Sequence, residues 1–200
     1  MLKWILIVGL LIGVVLVALA YRIMKGPDLS KYEALKEPRI TKIPNQRMLV
    51  VEIKGDPNIV AKKAFATLFK TYYRLKNNPK RFQLAPCARW PLSLDTPKSE
   101  WIGRYGLPVS ETAQLPDNFK QNPNMKVEIK DWEYGDVAEI LHIGPYSEEA
   151  PTIERLHNFI KENGYKIIGE HEEEYLKGPG MFGKGNPKKY YTIIRLKVAK

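Results

Sequence analysis

The chain repeats itself, and this repeat constrains the fold more than any other feature of the sequence. The segment from Ile40 to Gly55 aligns with the segment from Ile129 to Gly144 at a constant offset of 89 residues. At the same offset, residues 101–109 align with residues 190–198, and apolar positions alternate in both copies. Side chains on a β-strand alternate between its two faces, so matching alternation at both ends of one offset indicates a duplicated unit bounded by strands.

Each unit has the same order of elements: an alternating strand region, a turn with glycine, a helix and two more strands. The first predicted helix spans residues 57–76, and its apolar positions recur every three to four residues. The second is predicted to begin near Ser147, a good N-cap residue, and to end at Asn163 and Gly164. Two such units predict an α+β fold with two helices packed on an antiparallel sheet. The predicted domain covers residues 38–200, with repeats at about 38–110 and 125–200.

The N-terminus carries an apolar run of eighteen residues, from Trp4 to Tyr21, which is long enough to cross a bilayer as a helix. Ala18 and Ala20 form a small-x-small pattern that leaves a cleaved signal peptide as the alternative, but the length of the run and the basic residues at both of its ends favour an uncleaved anchor. We therefore expect a transmembrane anchor at residues 1–25 and a tether at 26–37. The excess of Lys and Arg after the span predicts a single-pass membrane protein with a cytoplasmic C-terminal domain.

Composition excludes several functional classes. A single cysteine, Cys87, rules out an internal disulfide and a multi-cysteine metal site, and the three histidines show no metal-binding spacing. We expect no metal and no cofactor. The net charge of +10 suits an acidic partner or an anionic membrane surface, although a solvated lysine-rich surface explains it equally well. The chain shows no helix-turn-helix or RNP-like pattern, so nucleic acid is not an expected partner.

The second unit resembles a known family. The stretch HIGPYSEEAPTIERLHNFIKENGYKIIGEHEEEYLKGP, residues 142–179, is similar to the GyrI-like effector-binding domain of the SOUL/GyrI superfamily. The shared features are a strand ending in H-x-G-P-Y, a helix ending in N-G-Y, and a G-x-x-x-E-x-Y-L-like strand. The resemblance implies a drug-sensing pocket between the two halves, lined by aromatic rings, in which an acidic residue before a tyrosine binds cationic ligands. It also implies that some relatives are hydrolases of strained ring compounds.

Within the family pattern, Glu174 is the acidic residue before Tyr175, and the spacing from Gly169 leaves Glu172 as the alternative. Strand alternation places Glu172 and Glu174 on one face and Glu173 with Tyr175 on the other. We expect Glu173 to face water. The aromatic residues expected to line the pocket are Trp101, Tyr105, Trp132, Tyr146 and Tyr190.

Three functions remain open on this reading. The first is a membrane-anchored binding protein for an apolar and cationic small molecule, in which Glu174 supplies charge and the aromatic rings supply contact area. The second is a hydrolase with Glu174 as general base, which rests on family analogy alone. The third is a membrane-proximal scaffold or adaptor. We expect binding rather than catalysis.

Overall fold

A computed structural model describes residues 28–80, 84–91, 96–179 and 185–200. Tyr32–Lys200 forms one compact unit, and the other unit, Met1–Lys31, contributes only residues 28–31 to the description. The predicted membrane span at residues 4–21 lies outside the described ranges. Within those ranges, no helix is long and apolar enough to span a bilayer.

Eight strands and two α-helices make up the described part of the domain. The strands are β1 (Arg39–Ile43), β2 (Gln46–Lys54), β3 (Cys87–Trp90), β4 (Ile102–Pro108), β5 (Lys126–Trp132), β6 (Gly135–Ile143), β7 (Lys166–Lys177) and β8 (Tyr191–Ala199). The helices are α1 (Pro57–Tyr72) and α2 (Ala150–Glu162), and short 3-10 turns lie at Ser30–Lys36, Lys98–Glu100, Tyr146–Glu148 and Pro187–Lys189. All strands pair antiparallel in one sheet, in the order β1-β6-β8-β7-β3-β4-β2-β5. The predicted antiparallel α+β fold is confirmed.

The sheet order is symmetric about its centre. The strands of the first half, β1 to β4, correspond in order to the strands of the second half, β5 to β8. Corresponding strands lie at equal distances from the centre of the sheet, on opposite sides of it. The pairing register follows the same rule, since Val51 lies opposite Tyr105 and Ile140 lies opposite Ile194, and both pairs differ by 89 residues. The central pair, β3 and β7, therefore joins two topologically equivalent halves.

Both helices form where the apolar spacing predicts them, but their ends differ from prediction. Asp56 caps α1 by accepting from the backbone N–H of Asn58 at 2.9 Å, and α1 ends at Tyr72 instead of residue 76. The chain leaves the helix because the backbone of Lys76 pairs with Gln114. The second helix begins at Ala150, so Ser147 does not cap it.

The start of α2 shifts because residues 146–148 form a 3-10 turn, and Pro151 then occupies the first helical turn, where a missing N–H has no effect. The end of α2 is as predicted. Gly164 has φ +73°, and the N–H of Tyr165 bonds to the carbonyl of Ile160 at 3.0 Å, which closes the helix with a left-handed cap.

Both helices cover the same face of the sheet. One row of directly opposed residues crosses seven strands on this face: Val127, Val51, Tyr105, Ala88, Glu173, Ile194 and Ile140. The apolar members of the row in the first half belong to a buried cluster with Leu68 of α1. Those in the second half belong to another buried cluster, with Leu156 of α2. Only one residue in the row, Glu173, carries a charge.

The 89-residue offset does not hold on β7. Ala88 pairs with Tyr105 and Glu173 pairs with Ile194, so the structural equivalent of Glu173 is Ala88, 85 residues away. The second half is four residues shorter than the first between the turn glycine and this position, since Gly144 to Glu173 spans 29 positions and Gly55 to Ala88 spans 33. Strand β7 itself has a register irregularity between Ile167 and His171. A Cβ atom at Gly169, in this irregular stretch, would lie 2.6 Å from the Cβ of Lys197, so only glycine fits without a shift of the neighbouring strand.

Candidate functional site

The carboxylate that meets the aromatic rings is Glu173, at the centre of the helix-covered face. The indole N–H of Trp90 donates to its Oε1 at 3.0 Å, and the hydroxyl of Tyr175 donates to its Oε2 at 2.6 Å. The Nε2 atom of His171 lies 3.1 Å from the same Oε1. An indole nitrogen can only donate, so Glu173 acts here as an acceptor. Its side chain is 13% exposed, which leaves it within reach of a ligand.

Seven aromatic rings form a continuous chain past this carboxylate. Neighbouring ring centroids are 4.9 to 5.8 Å apart in the order Trp101, Trp90, Tyr105, Phe65, Tyr175, Tyr146 and Tyr190. The first four rings come from the first half of the domain and the last three from the second half. We call these seven rings and Glu173 the aromatic site. It lies across the junction of the two halves, where the family resemblance implies a pocket.

The aromatic site is buried at its inner rings and reaches the surface at Tyr146. Tyr105 is 1% exposed and Trp90 is 7% exposed, whereas Tyr146 is 38% exposed. Space for the inner rings depends on Gly103, because a Cβ atom there would lie 2.8 Å from the ring of Tyr105 and 2.9 Å from that of Trp90.

The tyrosines around Glu173 remain protonated. Burial and the negative charge of Glu173 raise the pKa of Tyr105, Tyr146 and Tyr175 above the ordinary value for a phenol. The hydroxyl of Tyr105 is buried and has no hydrogen-bond partner among the described residues. The aromatic site therefore contains neutral hydroxyl groups and a carboxylate in a poorly hydrated environment.

A second acidic residue, Glu149, lies next to this site. It precedes α2, is 6% exposed, and its Oε1 atom has no hydrogen-bond partner in the described part of the chain. Burial, followed by repulsion from Glu173, raises the pKa of Glu149 to about 9. Its charge also contributes to the raised pKa of Tyr146 and Tyr175, which places it beside these two rings.

Glu172 and Glu174 point to the opposite face of the sheet. Glu172 is buried, and it accepts from Arg89 Nε at 2.7 Å, from Tyr134 Oη at 3.1 Å and from Arg195 Nη1 at 3.2 Å. Glu174 accepts from Arg195 Nη2 at 2.6 Å. Both carboxylates are therefore paired with arginine.

These pairs belong to a charged row that crosses all eight strands. The directly opposed residues are Lys126, Glu52, Arg104, Arg89, Glu172, Arg195, Glu139 and Arg39. Arg89 stacks on Trp132 with its guanidinium carbon 4.2 Å from the ring centroid. A cavity of about 360 Å³ opens on this face, and Trp132, Glu172 and Arg195 are among its lining residues. Six of the seven neighbouring pairs in the row are of opposite charge and stabilise strand pairing, whereas Arg104 and Arg89 are like charges that lie directly opposite each other.

The residues predicted to form the site thus divide between the two faces. The structure brings Trp101, Tyr105, Tyr146, Tyr175 and Tyr190 together in the aromatic site. It places Glu172, Glu174 and Trp132 on the other face, because strand alternation sends them away from Tyr175 and Tyr105. Glu173 was expected to face water, and that expectation is wrong, since it is the carboxylate beside Tyr175.

Sequence reasoning missed Phe65, Trp90, Glu149 and His171. Trp90 lies two residues after Ala88, the equivalent of Glu173, on the same strand and therefore on the same face of the sheet. Its aromatic ring and its indole N–H are the features by which it could have been chosen as a site residue. Glu149 carried none, because a glutamate near a helix start normally lies in solvent and stabilises the helix dipole. Among the described residues, no group of three His, Cys, Asp or Glu side chains is arranged to hold a metal ion.

An antiparallel sheet of two equivalent halves, covered on one face by two helices, defines the class of α+β domain. By family the chain belongs to the GyrI-like small molecule binding domains, since the model of that domain matches residues 36–199. The family resemblance inferred from the motifs is confirmed.

Solved structures show the same fold at low sequence identity. A hydrolase from Listeria innocua is 22% identical, with a TM-score of 0.64, and the match covers 86% of this chain and 99% of that one. The C-terminal domain of EcmrR is 15% identical, with a TM-score of 0.60 and coverage of 82% and 98%. EcmrR in a DNA complex matches over 93% of this chain and 65% of its own, at 15% identity and a TM-score of 0.61. At these identities the matches establish the fold alone. No curated protein matches the chain significantly.

Proposed function

We propose that this protein binds a small molecule with an aromatic or apolar body and a cationic group in the aromatic site. The observation that carries the proposal is Glu173, a carboxylate with a 13% exposed side chain in an otherwise apolar row of the sheet. The same position in the first half of the domain is Ala88, which is fully buried. Packing in the repeated scaffold therefore does not need a carboxylate at this place.

The ligand chemistry follows from the surroundings of Glu173. A carboxylate taken out of water is unfavourable unless a cation or hydrogen bonds compensate it. A ligand cation would add a charge partner, and each tyrosine or tryptophan face within about 6 Å would add about 0.5–2 kcal/mol of cation–π attraction. The ring of Tyr146 reaches the surface, and the ring of Tyr175 packs against it, so these two rings suit this role.

Adjacent glutamates on opposite faces provide the test. Thermal shift and calorimetry would compare benzyltrimethylammonium with its neutral isostere neopentylbenzene and with benzenesulfonate. For Glu173→Gln we expect cation binding to weaken roughly 10- to 100-fold, because a charge-assisted contact contributes about 1.5–3 kcal/mol. Glu174→Gln is the matched control and should bind as the wild type does.

Two outcomes would contradict this assignment. Loss of cation binding in Glu174→Gln, with binding retained in Glu173→Gln, would restore the assignment made from the motif. Equal stabilisation by the cation, the neutral compound and the sulfonate would remove the role of charge altogether.

A second candidate function, hydrolysis, is favoured by one observation. The Glu173 carboxylate and the Tyr175 hydroxyl are 2.6 Å apart, so a general base and a proton donor would lie within reach of the same bound molecule. A hydrolase from Listeria innocua shares the fold. A panel of esters, amides and strained cyclic ethers would test for turnover. Product formation that Glu173→Gln abolishes would support a hydrolase, and an inactive wild type across the panel would refute it.

We also propose that residues 4–21 anchor the domain to a membrane with the C-terminal part in the cytoplasm. Support comes from the sequence alone: the uninterrupted apolar run and the excess of basic residues after it. The full chain should then sediment with membranes and resist alkaline carbonate. The double substitution Val14→Arg and Val15→Arg should release it, and a wild-type chain that carbonate extracts would refute the anchor.

A further inference from the structure

Glu149 combines burial with an unsatisfied hydrogen-bonding group. Its carboxyl is 6% exposed, its Oε1 has no partner among the described residues, and it makes no capping hydrogen bond to α2. An ionised carboxylate in this position would be strongly disfavoured, whereas a protonated one has a hydrogen to donate. No described basic side chain forms an ion pair with it. Packing alone therefore does not explain an acidic side chain at this buried position.

Burial is the main cause of this state, and the groups within electrostatic range of Glu149 are Glu173 and Tyr175 on β7 and Tyr146 on the preceding 3-10 turn, whose carbonyl accepts from the backbone N–H of Glu149 at 3.4 Å. His171 and Trp90 contact Glu173 in turn. The only charge among the described groups that acts on Glu149 is the negative charge of Glu173. Burial opposes ionisation of Glu149 most strongly, and the negative charge of Glu173 opposes it further.

A second unsatisfied atom lies in the same site. The hydroxyl of Tyr105 is buried without a partner among the described residues, and its pKa responds to the charge of Glu173. A buried polar group that is left without a hydrogen bond destabilises the folded protein. Two such groups around one carboxylate indicate polar partners that a bound molecule would supply.

We propose that Glu149 is a second ligand-binding carboxyl of the aromatic site, which holds a proton in the free protein and releases it when a cation binds. The inference rests on the proposed function. A cation between Glu149 and Glu173 compensates two negative charges, so Glu149 ionises and its proton passes to the solvent. A neutral ligand provides no such compensation, so Glu149 stays protonated and donates its hydrogen bond to an acceptor atom. Glu149 therefore makes the preference of the site for a cation, which Glu173 provides, depend on pH.

The proposal gives binding a specific pH dependence. If one proton leaves for each cation bound, cation affinity rises by up to about tenfold per pH unit while Glu149 is protonated in the free protein. Between pH 6 and pH 8 the Kd of a permanent cation should then fall by up to about 100-fold. The Kd of a neutral isostere should change by less than about twofold over the same range, because no proton moves.

Calorimetry on the full chain tests this with probes that cannot release protons themselves. Benzyltrimethylammonium and neopentylbenzene would be titrated at fixed pH in buffers with different ionisation enthalpies. We expect close to one proton released per bound cation and none per neutral molecule. Glu149→Gln should bind the cation without proton release and with a flat pH profile. Glu148→Gln, an exposed neighbour with the same charge change, should behave as the wild type.

The possible results separate this inference from the proposed function. Cation binding that depends on Glu173 but releases no proton, with equal pH profiles for the wild type and Glu149→Gln, would overturn the inference and leave the proposed function standing. Absence of binding by either probe would overturn both.

Discussion

The pH dependence of folding stability should report the buried acid directly, without any ligand. The pKa of Glu149 is about 9 in the folded protein, against 4.5 for an ordinary glutamate. The folded state therefore binds a proton that the unfolded state releases between these two values. The stabilisation from this proton is fully present below pH 4.5 and is lost as the pH rises toward 9.

The magnitude follows from the size of the shift. Each pH unit inside the window changes the free energy of unfolding by about 1.4 kcal/mol per proton, so the wild type should lose about 3 kcal/mol between pH 5.5 and pH 8 because of Glu149. Glu149→Gln has no such proton. Its stability relative to the wild type should rise with pH at up to this slope. An unpaired amide adds an offset, but that offset does not vary with pH.

Urea unfolding followed by tryptophan fluorescence at several pH values provides the measurement. Glu148→Gln is the control, because its side chain is exposed and its relative stability should stay nearly constant. If the curves for the wild type and Glu149→Gln run parallel from pH 5.5 to pH 8, Glu149 is already ionised in the folded protein. The electrostatic reasoning about the site would then be refuted.

Three further changes test the scaffold around the site. Arg195→Met removes the cation shared by three carboxylates and should cost about 3–5 kcal/mol in urea unfolding. Arg155→Met, which breaks an exposed pair, should cost less than about 1 kcal/mol, and equal losses would contradict the role of burial. Gly169→Ala should cost about 1–3 kcal/mol, because the new methyl meets the Cβ of Lys197, and an unchanged midpoint would refute this clash. Gly103→Ala should displace the two nearest rings and weaken benzyltrimethylammonium binding, so unaltered binding and tryptophan fluorescence would show that the rings adapt.

Much of the fold could be predicted from local patterns. The repeat, the strand alternation and the end of α2 at Gly164 follow from spacing and from the backbone freedom of glycine. The end of α1 could not be predicted, because the apolar spacing continues to Leu75, which is buried, while the chain at Lys76 already pairs with a distant loop. Tertiary pairing ended the helix before its sequence pattern did.

The candidate site was only half predictable for a similar reason. Five of its aromatic residues were identified from the family motif and strand periodicity, but its carboxylate was not. A constant offset of 89 residues aligns Glu174 with Ala85, whereas the register in the sheet makes Ala88 the equivalent of Glu173. The second half is four residues shorter than the first before Glu173 and four residues longer between Glu173 and Ile194, and a constant offset cannot locate such compensating changes.

The sequence by itself determined that Glu173 and Tyr175 share one face of β7 and that Glu172 and Glu174 share the other, because side chains alternate along any strand. It could not determine which of these faces the helices cover, since alternation is relative and both faces carry acids. That choice belongs to tertiary structure: the pairing of β7 with β3 and β8 sets Glu173 among apolar residues and Glu172 and Glu174 among arginines. Burial then makes Glu149, an ordinary glutamate in the sequence, the second acid of the site.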